Sequence, residues 1–159
     1  MVAHRIAFLN GPFWLLSVVG RGGMVWLGSG LALAIARKRR DAFTVVLLAV
    51  LLGSTTADEI VKPLVHRARP FETMSGDVIG GRPDDKSFPS GHSANAFAAA
   101  TALSHLVPRT AFVWWTLATA IAFSRVYLGV HYPLDVIGGA LLGVGCGWLA
   151  VWLTRSSKL

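Results

Sequence analysis

Long apolar stretches separated by short polar segments make up most of this chain. A helix that crosses the hydrocarbon layer of a bilayer needs roughly 20 mostly apolar residues. Five stretches are candidates: residues 18–36, 42–61, 93–107, 110–127 and 135–153. The third is short, unless its helix begins within the polar cluster that precedes it. The pattern therefore predicts an all-α fold, a polytopic membrane bundle of about five to six helices forming a single domain over residues 1–159.

The first 17 residues are apolar but interrupted, because Asn10, Gly11 and Pro12 break the run. Our preferred interpretation is an interfacial helix that leads into the first span, with its aromatic residues near the lipid headgroups. The alternative is a longer, tilted first helix. Arg21 would then lie inside the helix, which is costly unless its side chain pairs or reaches the surface. We expect no cleaved signal peptide, because the same break interrupts the apolar stretch.

The composition supports a membrane protein. Of 159 residues, 53% are hydrophobic and only 14% are charged, whereas a soluble domain carries about 25% charged residues. The net charge is +7, but the cations do not form one basic face, which argues against a nucleic-acid partner. Instead, residues 37–40 follow the first apolar stretch, and Arg155 and Lys158 follow the last. Basic residues at these positions are typical of cytoplasmic loops.

If these basic ends are cytoplasmic, the remaining polar clusters all lie on the outer side. The outer loop nevertheless contains four cations, and a functional role for some of them would explain the exception: Arg67, Arg69, Arg82 and Lys86. The same loop contains four acids that we expect to shape the choice of headgroup: Glu72, Asp77, Asp84 and Asp85. We expect a bacterial inner-membrane protein whose site faces the periplasm or the exterior.

The first polar cluster is Lys62 followed by Arg69 and Pro70. Two cations at a membrane surface can simply extend their charges to water. They can also clamp a phosphate, with lysine as a point charge and arginine as a planar fork. His66 and Arg67 lie between them and are lesser candidates for the same site.

The second cluster, Pro89-Ser90-Gly91-His92, precedes an alanine-rich stretch. Serine is a favoured helix N-cap, so this cluster predicts a helix start. Free backbone N–H groups at such an end bind anions, and His92 in the first turn can act there as an acid or a base.

The third cluster contains Ser124, Arg125, His131 and Asp135. The histidine and the aspartate are four residues apart, near the start of the last predicted helix. A carboxylate at this spacing can fix the tautomer of the imidazole, which leaves the other ring nitrogen as a positioned nucleophile.

Small residues in the last stretch predict close helix packing rather than chemistry: Gly138, Gly139, Gly143, Gly145, Cys146 and Gly147. Because Cys146 is the only cysteine, an intrachain disulfide and a cysteine-based metal site are excluded.

Together, the three clusters read Lys-x6-Arg-Pro at residues 62–70, Pro-Ser-Gly-His at 89–92 and Ser-Arg-x5-His-x3-Asp at 124–135. These motifs resemble the three-part signature of the type 2 phosphatidic acid phosphatase family and match it at every residue and spacing. That family shares its core with vanadium haloperoxidases and bacterial acid phosphatases. The resemblance covers about residues 42–153. It implies an integral-membrane lipid phosphatase. Many membrane members have six spans, and this chain departs from them with five.

The resemblance also implies roles for individual residues. His131 attacks phosphorus and becomes a phosphohistidine, Asp135 orients it, and His92 protonates the leaving oxygen. The phosphoryl oxygens are held by five residues: Lys62, Arg69, Ser90, Gly91 and Arg125. We predict no cofactor and no metal, because no set of Cys, His or carboxylate residues has metal-ligand spacing.

Several activities fit this sequence. The expected partners are the bilayer and a lipid phosphate: undecaprenyl diphosphate, phosphatidylglycerophosphate, phosphatidic acid or lipid A 1-phosphate. The alternative is a phosphotransferase that passes the phosphate to another lipid. A non-catalytic lipid-binding protein is disfavoured, because nucleophile, acid and clamp are all present.

Overall fold

The computed structural model describes residues 6–38, 40–74 and 77–156. Within these ranges every regular element is helical. The predicted all-α fold is therefore confirmed. Three parts of the predictions lie outside the described residues: positions 1–5 of the N-terminal segment, Arg39 of the first basic block, and Lys158 of the second.

Eight α-helices follow one another in the described part of the chain, and six of them have ten residues or more. They are α1 (Asn10–Val19), α2 (Met24–Ala36), α3 (Arg40–Thr55), α4 (Lys62–Val65), α5 (Pro70–Thr73), α6 (Gly91–Leu106), α7 (Ala111–Tyr127) and α8 (Pro133–Ser156). A π-helix, Thr56–Val61, joins α3 to α4, and short 3-10 helices occupy Ala7–Leu9, Arg21–Gly23 and Pro108–Thr110.

The helices differ in their capacity to cross a bilayer. Two segments are long and apolar enough, Asp41–Thr73 and Pro133–Arg155, and the pair Ala7–Val19 and Arg21–Ala36 makes a third if it is counted as one bent span. Two of the five predicted spans are α6 and α7, which have only 16 and 17 residues and therefore extend about 24–26 Å. Most residues of α6 are buried, because other helices pack around it.

The first predicted span is not one continuous helix from residue 18. The chain breaks after α1, and the helices on either side meet at 53°. Gly22 and Gly23 adopt left-handed backbone angles, with φ of 60° and 74°, which residues with side chains rarely adopt. Arg21 lies exposed in the short 3-10 helix at this break rather than inside an α-helix.

Close packing between α6 and α8 positions the functional end of the bundle. A methyl group added at Gly139, Gly143 or Gly147 would lie 2.3–2.6 Å from a backbone oxygen of α6 or of its N-cap Ser90. The packing predicted for these glycines is therefore confirmed, and Gly138 packs on Phe88 in the same way. Gly145 is different, since nothing lies within 4 Å of its added methyl position.

Candidate active site

The three polar clusters of the sequence meet at one end of the bundle. They come from α4, the start of α5, the start of α6, the end of α7, and the start of α8 with the turn before it. Most of the predicted site residues are buried despite their charge or polarity: Lys62, Arg69, Ser90, Gly91, Arg125, His131 and Asp135. A group of charged side chains buried at this density needs mutual pairing or a ligand.

Lys62 is placed by the π-helix that immediately precedes it. A π-turn inserts one extra residue per turn and is frequent at functional sites. The lysine Nζ lies 2.7 Å from Asp58 Oδ1 and also donates a hydrogen bond to Asp85. Asp58 in turn explains the glycine at position 91, because a methyl group there would lie 2.8 Å from Asp58 Oδ1.

Arg69 connects the first cluster to the third. Its Nη1 donates a hydrogen bond of 2.8 Å to the Val130 carbonyl and lies 3.4 Å from His131 Nε2. On the other side, Nε and Nη2 bind the backbone oxygen and the carboxylate of Asp85, at 2.8 and 2.5 Å. Its planar fork is therefore held in one orientation beside the predicted nucleophile.

Asp85 is a residue whose place in the site the sequence analysis missed. Its carboxylate lies between Lys62 and Arg69 and contacts both. Burial by itself raises the pKa of this carboxyl group, but the hydrogen bond from Lys62 and the charge of Arg69 outweigh burial and lower the pKa below its ordinary value. The carboxylate is therefore ionised, and it occupies the space between two of the predicted phosphate-binding cations.

His131 presents one fixed ring nitrogen to the site. Its Nδ1 lies 2.8 Å from the Ser87 carbonyl oxygen, which can only accept, so Nδ1 carries the hydrogen and donates. The Nε2 atom is then unprotonated and faces Arg69. Burial lowers the pKa of this imidazole to about 4, against the opposing charge of Asp135. The ring is neutral at pH 7, as a nucleophile must be.

Asp135 reaches the histidine less directly than expected. Its Oδ2 lies 3.7 Å from His131 Nδ1, which is an ion-pair distance but not a hydrogen bond. The carboxylate instead accepts hydrogen bonds from the Ser87 hydroxyl at 2.5 Å, the Tyr132 amide at 2.9 Å and the Arg67 guanidinium at 2.9 Å. Ser87 therefore connects the carboxylate to the ring. The only sequence signal that could have identified Ser87 is its closeness to the second cluster.

The second cluster begins α6 as predicted. Ser90 is the N-cap, and its Oγ accepts from the Ser93 amide at 3.4 Å. The Ser90 amide donates to the Asp135 carbonyl at 2.9 Å, which ties the start of α6 to the start of α8. His66, a lesser candidate, has an exposed side chain with no hydrogen bond to the site among the described residues, although its amide donates to the Lys62 carbonyl at 3.3 Å.

A cavity of about 350 Å³ opens beside His92 and Arg125. Arg125 donates from Nη1 to Ser17 Oγ of α1, but its Nε and the Nε2 of His92 are buried without a hydrogen-bond partner in the described part of the chain. Buried polar atoms without partners indicate a place for a polar ligand. The lining residues are Trp14, Ser17, Arg21, Ile79, Gly80, Gly81, Arg82, Pro83, His92, Arg125 and Val130.

Residues 42–158 match the family model described as the PAP2 superfamily. The chain belongs to the PAP2 superfamily. This match covers most of the chain and includes all three clusters, so the resemblance noted from the sequence is confirmed. PAP2 proteins of this kind are membrane hydrolases that act on lipid phosphates, and the predicted enzyme class is therefore confirmed as well.

Similar proteins support the same class. An undecaprenyl-diphosphatase from Sulfolobus acidocaldarius is 35% identical over 162 residues, which cover 98% of this chain and 76% of that protein. The crystal structure of Aquifex aeolicus LpxE has a TM-score of 0.82 at 29% identity, and the match covers 94% of this chain and 89% of the LpxE chain. The crystal structure of a PAP2-type phosphatidylglycerolphosphate phosphatase from Bacillus subtilis has a TM-score of 0.77 at 25% identity, and the match covers 98% of this chain and 81% of that chain.

Proposed function

We propose that this PAP2 protein hydrolyses a phosphate monoester or diphosphate of a lipid through a phosphohistidine on His131. One observation carries the proposal. The unprotonated Nε2 of a buried, neutral His131 lies beside Arg69, while its Nδ1–H is fixed by the Ser87 carbonyl. A nucleophile with one fixed lone pair next to a cation suits in-line attack on phosphorus.

In the first step, His131 Nε2 forms a bond to phosphorus and the bond from phosphorus to the leaving oxygen breaks. His92 gives a proton to that oxygen as it leaves. Charge develops on the phosphoryl oxygens, and Lys62, Arg69 and Arg125 stabilise it together with the free backbone amides at the start of α6. The ion pair with Asp135 stabilises the His131 ring as it becomes positively charged.

In the second step, water attacks the phosphohistidine and releases inorganic phosphate. His92 accepts the proton of that water and returns to its starting state, so the cycle needs no external acid or base. The cations take the part that a metal ion plays in other phosphatases. Metal independence stays a prediction, which the chelator in the assay below tests.

The site lies at one end of a membrane bundle, so a lipid tail can remain in the bilayer while its phosphate reaches the cations. Arg37, Lys38, Arg40 and Arg155 lie at the other ends of their helices, which supports an outward-facing site under the positive-inside rule. We therefore place the reaction at the outer face of the cytoplasmic membrane.

The test is phosphate release from a panel of lipid phosphates in detergent, with a chelator present. The wild-type protein should release phosphate, and vanadate, which mimics five-coordinate phosphorus, should inhibit it. His131→Ala should abolish release, whereas His105→Ala, at the other end of α6, should leave it unchanged. Turnover by His131→Ala, or turnover lost on chelation, contradicts the mechanism. Release only when an acceptor lipid is added identifies a phosphotransferase instead.

A further inference from the structure

The cavity beside His92 has an unusual charge composition. Three arginines from different parts of the chain line it, and no carboxylate does. Arg21 comes from the break between α1 and α2, Arg82 from the loop before α6, and Arg125 from α7. A concave site with several cations and no acid attracts an anion.

Arg21 and Arg82, the two outer arginines, form no ion pair within the described residues. Among the described residues, no carboxylate lies within 4.0 Å of Arg21 or of Arg82. Arg82 lies over the Phe71 ring at 5.6 Å, a contact that leaves its N–H groups free to bind a ligand. The unpartnered Arg125 Nε and His92 Nε2 face the same cavity. Four side chains therefore supply donors to one small space.

One close contact brings the two outer arginines to the same cavity. Gly80 packs against the Trp14 side chain of α1, and a methyl group at position 80 would lie 2.6 Å from Trp14 Cδ1. The backbone at Gly80 has a φ of 87°, so a side chain there is disfavoured on conformational grounds as well. The loop that carries Arg82 is thus packed onto the helix that precedes Arg21.

The position of the cavity relative to the two histidines indicates which part of a substrate it receives. His131, Lys62 and Arg69 do not line it, whereas the proposed acid His92 does. The cavity therefore lies on the side of the leaving group. The carbon next to a leaving alcohol oxygen carries no charge, whereas a leaving phosphate carries charged oxygens directly beside the bridging oxygen, where two further arginines can bind them.

We propose that Arg21 and Arg82 bind the phosphate of the leaving group, so that the substrate is a lipid diphosphate. This inference rests on the proposed function. The bond from His131 Nε2 to the terminal phosphorus forms as the bond to the bridging oxygen breaks. The electron pair stays on that oxygen, which takes a proton from His92. The lipid monophosphate leaves from Arg21 and Arg82, and water then releases inorganic phosphate from His131.

Binding of inorganic pyrophosphate and inorganic phosphate to the purified protein, measured by calorimetry in detergent, tests the site without turnover. The wild-type protein should bind pyrophosphate more tightly. Arg21→Gln and Arg82→Gln should each reduce that preference about tenfold, the effect expected for losing one charged hydrogen bond. Arg109→Gln, an exposed arginine in the 3-10 helix Pro108–Thr110, is the control and should change neither affinity.

Kinetics with farnesyl diphosphate and farnesyl monophosphate, which share one tail, provide the second measurement. The kcat/KM for the diphosphate should fall about tenfold more than that for the monophosphate in each variant. An unchanged preference in both measurements, or an equal loss for both ligands, overturns the inference. If the wild-type protein hydrolyses neither lipid but the variants lose their preference for pyrophosphate, the proposed function fails and the binding site stands.

Discussion

The contact between Gly139 and Ser90 gives the sharpest test of how packing supports the site. A methyl group at position 139 would lie 2.4 Å from the Ser90 carbonyl oxygen, whereas ordinary contacts begin at 3.4 Å. The deficit of about 1 Å falls between two helix backbones, so no flexible side chain can absorb it. In Gly139→Ala, the start of α6 must therefore move away from α8.

The energetic size of this change follows from two opposing effects. Overpacking a core costs about 1–3 kcal/mol, while replacing a helical glycine by alanine gains about 0.5–1 kcal/mol. The net effect is a loss of up to about 2.5 kcal/mol, which lowers the unfolding midpoint by up to roughly 10 °C for a chain of this size. Because a displacement of about 1 Å in a catalytic site can cost on the order of 100-fold in rate, kcat should fall between about tenfold and 100-fold.

The assay is thermal unfolding in detergent followed by tryptophan fluorescence, together with phosphate release. Gly145→Ala is the matched control, since it lies in the same helix and its added methyl meets nothing within 4 Å. It should unfold at or slightly above the wild-type temperature and retain kcat. The reasoning is refuted if the two variants unfold at the same temperature and Gly139→Ala retains its kcat.

Three further predictions concern single polar groups. Because burial lowers the pKa of His131 to about 4, the unfolded chain binds more protons at this residue than the folded protein does below pH 6.5. The free energy of unfolding should therefore fall as the pH drops from 6.5 towards 4, and this fall should be smaller in His131→Ala. The same pH dependence in both proteins contradicts this reasoning. Ser87→Ala removes a buried donor to Asp135 and should cost about 1–3 kcal/mol in unfolding, whereas the exposed Thr119→Ala should cost almost nothing. Asp85→Asn removes the anion between two cations, so inorganic phosphate should inhibit several-fold more tightly; an unchanged or weaker inhibition constant contradicts this role.

The predictable part of the structure followed from local patterns. Apolar stretches located both ends of α6, α7 and α8 within about three residues, as well as the end of α2 and the start of α3, and the Ser90 N-cap marked the start of α6. The short motifs identified residues that the fold brings together, because these residues lie at or near the ends of helices. The roles of these residues in catalysis remain predictions.

Other features depended on contacts between distant segments and could not be read from the chain. The π-helix before Lys62 and the bend at Gly22 and Gly23 depend on tertiary packing as much as on local preference. The bridge from Ser87 to Asp135 joins residues 48 positions apart. Asp85 was grouped with other loop acids, because no periodic pattern distinguishes an acid that reaches two buried cations from one that faces water.

The acceptor that fixes the His131 tautomer is a main-chain atom, the carbonyl of residue 87. No missense change at that codon can delete it, and its position is secured by a second main-chain bond, from the residue 87 amide to the Arg67 carbonyl at 2.9 Å. Genetic variation at position 87 should therefore reduce the abundance of folded protein before it alters the chemistry of each surviving molecule. Selection at this codon would act chiefly through protein level, whereas selection at the His131 codon would act on turnover itself.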